Sequence, residues 1–170
     1  ERGNVAAEYV GRKGTILSGS VSQVDRGSVI VKIGRTEGII PPKELIFRDR
    51  FRIGDPVRSL LKVVDENQKG PMLILSRTDP EFVRRLFENE VPEIFERVVE
   101  IRDIAREAGS RTKITVVSHD DRVDPVGACV GMKGSRVQAI VRELGGERID
   151  IVPFSPDPKI LISRALSPAR

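Results

Sequence analysis

The run from Asp124 to Ile140 holds the residue types and spacings best suited to chemistry in this chain. Asp124 stands before Pro125, and that pair starts a helix: the carboxylate accepts from an early amide, and proline has no amide proton to leave unpaired. Val126, Cys129 and Val130 fall on one side of the helix so begun. Gly131-Met132-Lys133-Gly134 interrupts it, and Val137, Ile140, Val141 and Leu144 resume an apolar stripe at spacings of three and four. The glycines allow close backbone approach, the second helix turns the positive end of its dipole toward the loop, and Lys133 and Arg136 add charge. The chemistry on offer is recognition of a phosphate. The candidate contacts are Val130, Gly131, Met132, Lys133, Gly134, Ser135, Arg136 and Gln138. A Gly-x-x-Gly pattern alone recurs by chance; helix, loop, basic residues and second helix in this order make a far more specific signal.

Two helices joined by such a loop are how KH domains clamp a single-stranded nucleic-acid backbone. The elements that must position the loop surround it. Thr112 to Ser118 alternates as a strand, Ala108-Gly109-Ser110 is a turn, and Ile149-Asp150-Ile151-Val152 is a last strand after the glycine stop at Gly145-Gly146. A helix over about 79–90 starts at Thr78 or Asp79 and carries Phe82, Leu86 and Phe87 on its apolar side, where they can pack on the KH sheet; Val91-Pro92 interrupts it. The segment from Ile94 to Ala108 fits both periods. Ile94, Val98, Ile101, Ala105 and Ala108 form a helical stripe, while Val99, Ile101 and Asp103 fit a strand.

Residues 14–76 read as a small β-barrel. Strands are expected at about 14–24, 28–33, 36–41, 56–65 and 71–76, with a helical turn around Lys43-Glu44-Leu45. The breaks fall at Asp25-Arg26-Gly27, Gly34-Arg35, Gly54-Asp55-Pro56 and Gln68-Lys69-Gly70-Pro71, all turn formers. Five strands with a helical turn between the third and fourth fit an OB fold, a barrel that binds oligonucleotides.

Charge is segregated. Residues 1–77 hold 14 basic and 9 acidic residues, a net +5, and residues 78–170 hold 15 and 16, a net −1. A basic face beside a single-strand loop points to nucleic acid. Enzyme classes lack ingredients. His119 is the one histidine, and with Asp120, Asp121 and Asp124 it makes a polar loop ending in a helix cap, not a metal site. Lys133-Gly134-Ser135 has the wrong order for a nucleotide-binding phosphate loop, and no nucleophile triad can be assembled. No catalysis, metal or cofactor is expected. The single cysteine, Cys129, lies on the apolar side of its helix as a core residue, which favours a reducing compartment. No apolar run reaches membrane-spanning length and no signal peptide is visible, so no membrane partner is expected.

Several stretches carry a closer likeness: Glu37-Gly38-Ile39-Ile40-Pro41, Phe51 through Arg58, Val91-Pro92-Glu93-Ile94, Gly109-Ser110-Arg111-Thr112-Lys113, Asp124 through Gly134, and Glu143 through Ile151. In these the chain resembles the NusA family of bacterial transcription elongation, termination and antitermination factors, over nearly its whole length. The resemblance implies an α+β chain: a five-stranded OB-fold β-barrel of the S-one type followed by a type II KH domain, the first of two in tandem. It resolves the ambiguous segment as a strand at about 98–106, pairing with 112–118. It divides the chain into a tail from a preceding region (1–10), the barrel (11–77), a helical connector (78–97), the KH domain (98–166) and the start of a truncated domain (167–170). A polymerase-binding domain is then expected before residue 1.

By the same resemblance the partners are single-stranded nascent RNA, RNA polymerase (mainly through that preceding domain) and other antitermination factors, in the cytoplasm. Arg111 and Lys113 join the RNA-contacting set. The barrel carries weaker candidates, Lys32, Arg35, Lys43, Arg48, Arg50 and Arg52, which act through phosphates, because its second strand has no aromatic and Tyr9, the one tyrosine, lies outside it. Phe47 and Phe51 suit core and stacking roles equally. Two other readings have a footing: an RNA-degradation accessory module, since exosome-cap proteins also place such a barrel before a KH domain, and a protein-interaction module with an idle KH loop.

Overall fold

Alternating side chains close residues 16–76 into a five-stranded barrel. The computed structural model describes residues 2–66 and 73–154. The strands are β1 (Ile16–Asp25), β2 (Ser28–Ile33), β3 (Thr36–Ile40), β4 (Pro56–Val64) and β5 (Leu73–Ser76), in the order β1-β2-β3-β5-β4, with β4 returning to β1. β3 and β5 run parallel, and the other pairs are antiparallel. Val29, Val31 and Ile33 of β2 point inward while Lys32 points out, the period of two that the sequence shows. Register shifts between Val21 and Gln23 and between Leu61 and Val63 mark bulges, which bend the strands so the sheet can close. Gly38 of β3 faces β5 so closely that a Cβ there would lie 2.7 Å from Leu75 Cδ1. The expected helical turn is a 3-10 turn at Pro42–Glu44, between β3 and β4.

The expected tail at 1–10 contains a helix. Helix α1 (Arg2–Val10) packs Ala6 and Tyr9 into the same buried cluster as Leu17, Val31 and Leu61, so Tyr9 is a core residue of the barrel although no strand carries it. Burial of its ring against the strands outweighs the weak helical signal of that segment. A second stabilising hub lies at Arg77. Its guanidinium donates to Asp49 Oδ2 (2.9 Å) and to the Arg58 carbonyl (2.7 Å), and it sits 5.3 Å from the rings of both Phe51 and Phe82.

The chain forms two units, Glu1–Phe82 and Val83–Arg170. Helix α2 (Pro80–Glu90), which enters the second unit at Val83, continues into a short α3 (Pro92–Phe95), followed by β6 (Val99–Glu107), β7 (Arg111–Ser118), α4 (Pro125–Val130), a 3-10 turn at Met132–Gly134, α5 (Ser135–Glu143) and β8 (Arg148–Pro153). The sheet order is β6-β7-β8, antiparallel then parallel. A helix and two strands therefore precede the two-helix loop, and residues 99–107 are strand. Phe82, Val83, Leu86 and Phe87 of α2 are all buried, and Arg84 donates to the carbonyl of Ile101 in β6 at 2.7 Å. The expected turn at 68–71, the expected end of the KH domain and residues 167–170 lie outside the described residues.

Candidate nucleic-acid interface

Asp124 begins α4 as the sequence implies: its carboxylate accepts from the amide of Val126 at 3.2 Å, and Pro125 is the first helical residue. The helix is six residues long because Gly131 turns out of it at φ +78°, a conformation side chains avoid. A Cβ at Gly131 would also meet Arg136 Cγ at 2.7 Å and the Arg136 amide nitrogen at 2.9 Å. Glycine is thus required twice over, by the backbone and by the first turn of α5. Lys133 is left-handed (φ 56°, ψ 28°) and Gly134 follows at φ +76°.

This geometry everts the loop. Met132 is 83% exposed, Lys133 is exposed beside it, and Ser135 and Gln138 are exposed on the first turns of α5. Gly131, Met132, Lys133, Gly134, Ser135 and Gln138 form one surface at the positive end of a nine-residue helix, with half-buried Val130 at its edge. Behind it lie the buried Cys129, Ile140 and Leu144. Burial, with the Glu93 carboxylate adding to it, pushes the Cys129 thiol up to about 12, so it is a protonated core group and no nucleophile.

Arg136 is placed differently from the rest. Its Nη1 donates to Glu93 Oε1 at 2.9 Å and to the Ala128 carbonyl at 2.7 Å, so the guanidinium is turned inward against α3 and the end of α4. Arg111 and Lys113 stand on β7. They alternate on β7 with the buried Thr112 and Ile114, and Arg111 pairs with Glu107 at 3.4 Å. The turn that carries them is held from below by Glu147, a residue the sequence reading did not single out. Fully buried, Glu147 accepts from Arg106 Nη2 (2.9 Å), from the Gly109 amide (2.7 Å) and from the Thr112 hydroxyl. A glutamate following Gly145-Gly146 looks like a turn residue, and nothing local marks it as interior.

On the barrel, Lys32 and Arg35 are exposed on β2 and its following turn, and Lys43, Arg48, Arg50 and Arg52 surround the loop after β3. Arg50 donates to the carbonyls of Phe47 and Asp49, both at 2.8 Å, which closes the loop on itself. Phe47 is 61% exposed with the Arg48 guanidinium 4.8 Å above its ring, whereas Phe51 packs on the core. The two aromatics that the sequence left undecided therefore divide. Phe47 stands on the lip of an open groove of about 620 Å³ lined by Val24, Pro42, Phe51, Arg50 and Arg52.

The polar loop at 119–124 pairs with β6 and with itself. His119 Nε2 lies 2.8 Å from Glu100 Oε1, and Asp120 holds Arg122 at 2.9 Å. No group of three metal-ligating side chains occurs among the described residues, and no helix among them is long and apolar enough to cross a membrane.

Two family models match in succession: the "S1 RNA binding domain" over residues 11–76 and the "NusA-like first KH domain" over residues 77–154. The chain is 46% identical over 171 residues to the transcription termination/antitermination protein NusA of Thermus thermophilus, covering 100% of this chain and 44% of that protein. It is 44% identical over 170 residues to the protein of the same name from Bacillus subtilis, covering 100% and 46%. The Rickettsia conorii protein is 41% identical over 168 residues, covering 99% and 33%. The chain thus spans less than half the length of these relatives.

Proposed function

The chain belongs to the NusA family, and on that premise we propose that it is the single-stranded RNA-binding part of a bacterial transcription factor, acting on nascent RNA in elongation, pausing, termination and antitermination. The observation that carries this reading is the everted loop. Two glycines in left-handed geometry present Met132 and Lys133 to solvent at the amino end of α5, with Ser135 and Gln138 alongside. Such a surface suits a sugar-phosphate backbone: a point charge, helix-end amides and no bulk in the way. Its role is binding rather than catalysis.

The barrel at 11–77 adds a second, weaker contact. Lys32, Arg35, Lys43, Arg48 and Arg52 supply phosphate contacts, and Phe47, capped by Arg48, offers one ring on which a base can stack. Residues 78–97 connect it to the KH domain, which starts at 98. RNA polymerase is a further partner, in the cytoplasm. Ultraviolet crosslinking of the chain to single-stranded RNA, followed by peptide mapping, tests the division of labour. Adducts should concentrate in residues 131–142, with fewer around Phe47. Adducts confined to the barrel would overturn the loop's primary role.

A further inference from the structure

Arg136 has the charge and the position in sequence of a phosphate ligand, yet its guanidinium is committed elsewhere. Nη1 bridges the Glu93 carboxylate at 2.9 Å and the Ala128 carbonyl at 2.7 Å, and both side chains of the ion pair are only about a third exposed, 29% and 31%. Three elements meet there: the first turn of α3, the last turn of α4 and the first turn of α5. Gly131 packs directly on the arginine, 2.7 Å from Cγ to an added Cβ, so the loop's entry point rests on this side chain. Glu93 comes from 43 residues upstream, outside the loop and both its helices.

We infer that Glu93 is a positioning residue for the phosphate-facing loop. It holds Arg136 inward as a strut that sets the separation of α4 and α5, and so the outward pose of Met132 and Lys133. The inference rests on the reading of that loop as the RNA contact. An arginine that swung out to a phosphate would abandon two short charge-assisted hydrogen bonds and leave the Ala128 carbonyl without its donor. Paired with Glu93, it is part of a neutral couple and displaces no counterions from RNA. Lys133 is then the loop's charge and Arg136 its scaffold.

The two roles predict opposite signs. If Arg136 were a phosphate ligand restrained by Glu93, Glu93→Gln would free it, and removing a carboxylate near a polyanion would in any case tighten binding. If Glu93 positions the loop, the same near-isosteric change weakens binding, by about two- to fivefold for a pair this exposed. The measurement is fluorescence anisotropy of a labelled, mixed-sequence single-stranded oligoribonucleotide with the 170-residue chain, between about 50 and 200 mM salt. Expected results are weaker binding by Glu93→Gln and by Arg136→Gln with the parent's salt slope, and a smaller cost of Lys133→Ala in the Glu93→Gln background than in the parent. That coupling between two residues not in contact is something simple loss of stability does not produce, and thermal melts check that both variants are folded. Hydrogen exchange at residues 131–135, without RNA, should quicken in both.

Unchanged or tighter binding by Glu93→Gln overturns the inference. So does a salt slope shallower by about 0.7 in Arg136→Gln, the signature of one lost single-strand phosphate contact. Failure of the underlying reading looks different: Met132→Asp/Lys133→Asp would then bind RNA as the parent does, whatever Glu93→Gln does.

Discussion

Replacing Met132 and Lys133 together by aspartate isolates the loop from the rest of the chain. Both side chains are exposed, and Gly131 and Gly134 keep their left-handed turns, so the backbone path is untouched. Position 133 sits at φ 56°, ψ 28°, a region aspartate enters more readily than most residues. Folding stability should therefore move by no more than about 0.5 kcal/mol, as for ordinary surface changes. Binding should move much more. Each carboxylate about 4 Å from a phosphate costs roughly 1 kcal/mol at the dielectric of water and about 4 kcal/mol at that of a protein surface. The lower figure for both charges, with a similar amount for the lost Lys133 attraction, comes to about 3 kcal/mol, or about a hundredfold in affinity. Salt screening and retreat of the strand reduce this, and tenfold is the floor. Anisotropy titration of a single-stranded oligoribonucleotide with parent and double variant, beside a thermal melt of each, reads both quantities. A folded variant that binds within twofold of the parent would refute the phosphate-clamp argument and leave the barrel, or an idle loop, as the alternative.

Other outcomes can be checked with the same preparations. The logarithm of RNA affinity should fall linearly with the logarithm of salt, by about 0.7 log units per log unit of salt for each phosphate contact; a flat response from about 50 to 200 mM would contradict backbone recognition. Glu147→Ala removes the carboxylate that pairs with the buried Arg106 side chain, so unfolding of the second unit should be easier by about 3–5 kcal/mol, while a paired Arg106→Met/Glu147→Leu change should recover only part of it, because the Gly109 amide and the Thr112 hydroxyl still lose their acceptor; equal melts for parent and Glu147→Ala would discount the network. The Cys129 thiol, raised by burial to about 12, stays protonated well below that pH. Native protein should thus resist iodoacetamide at about pH 8.5, where an ordinary thiol is half ionised, and react once denatured; rapid labelling of the native state would mean the helix pair is open.

What the sequence made legible was local, and what it hid was paired at a distance. The barrel strands could be read because Val29, Val31 and Ile33 alternate with outward residues and glycines or prolines mark the turns. Asp124, Pro125 and the two loop glycines announced the helix pair because capping and left-handed turns depend on residue type within a few positions. The segment from Ile94 to Ala108 resisted, since its boundary is made without the usual signal: Arg97, not a glycine, takes φ +66° between α3 and β6, and both periods overlap there. Tyr9 looked like part of a tail because only the folded strands supply its burial. Arg136 shows the limit most clearly. Its charge was visible, but a charge near a loop can face a ligand or face inward, and the choice belongs to a carboxylate 43 residues away. The same arginine is what Gly131 packs upon. A glycine that reads as permission for RNA to approach is also the contact through which the protein's own scaffold holds the loop, and one residue type serves both because each needs the absent Cβ.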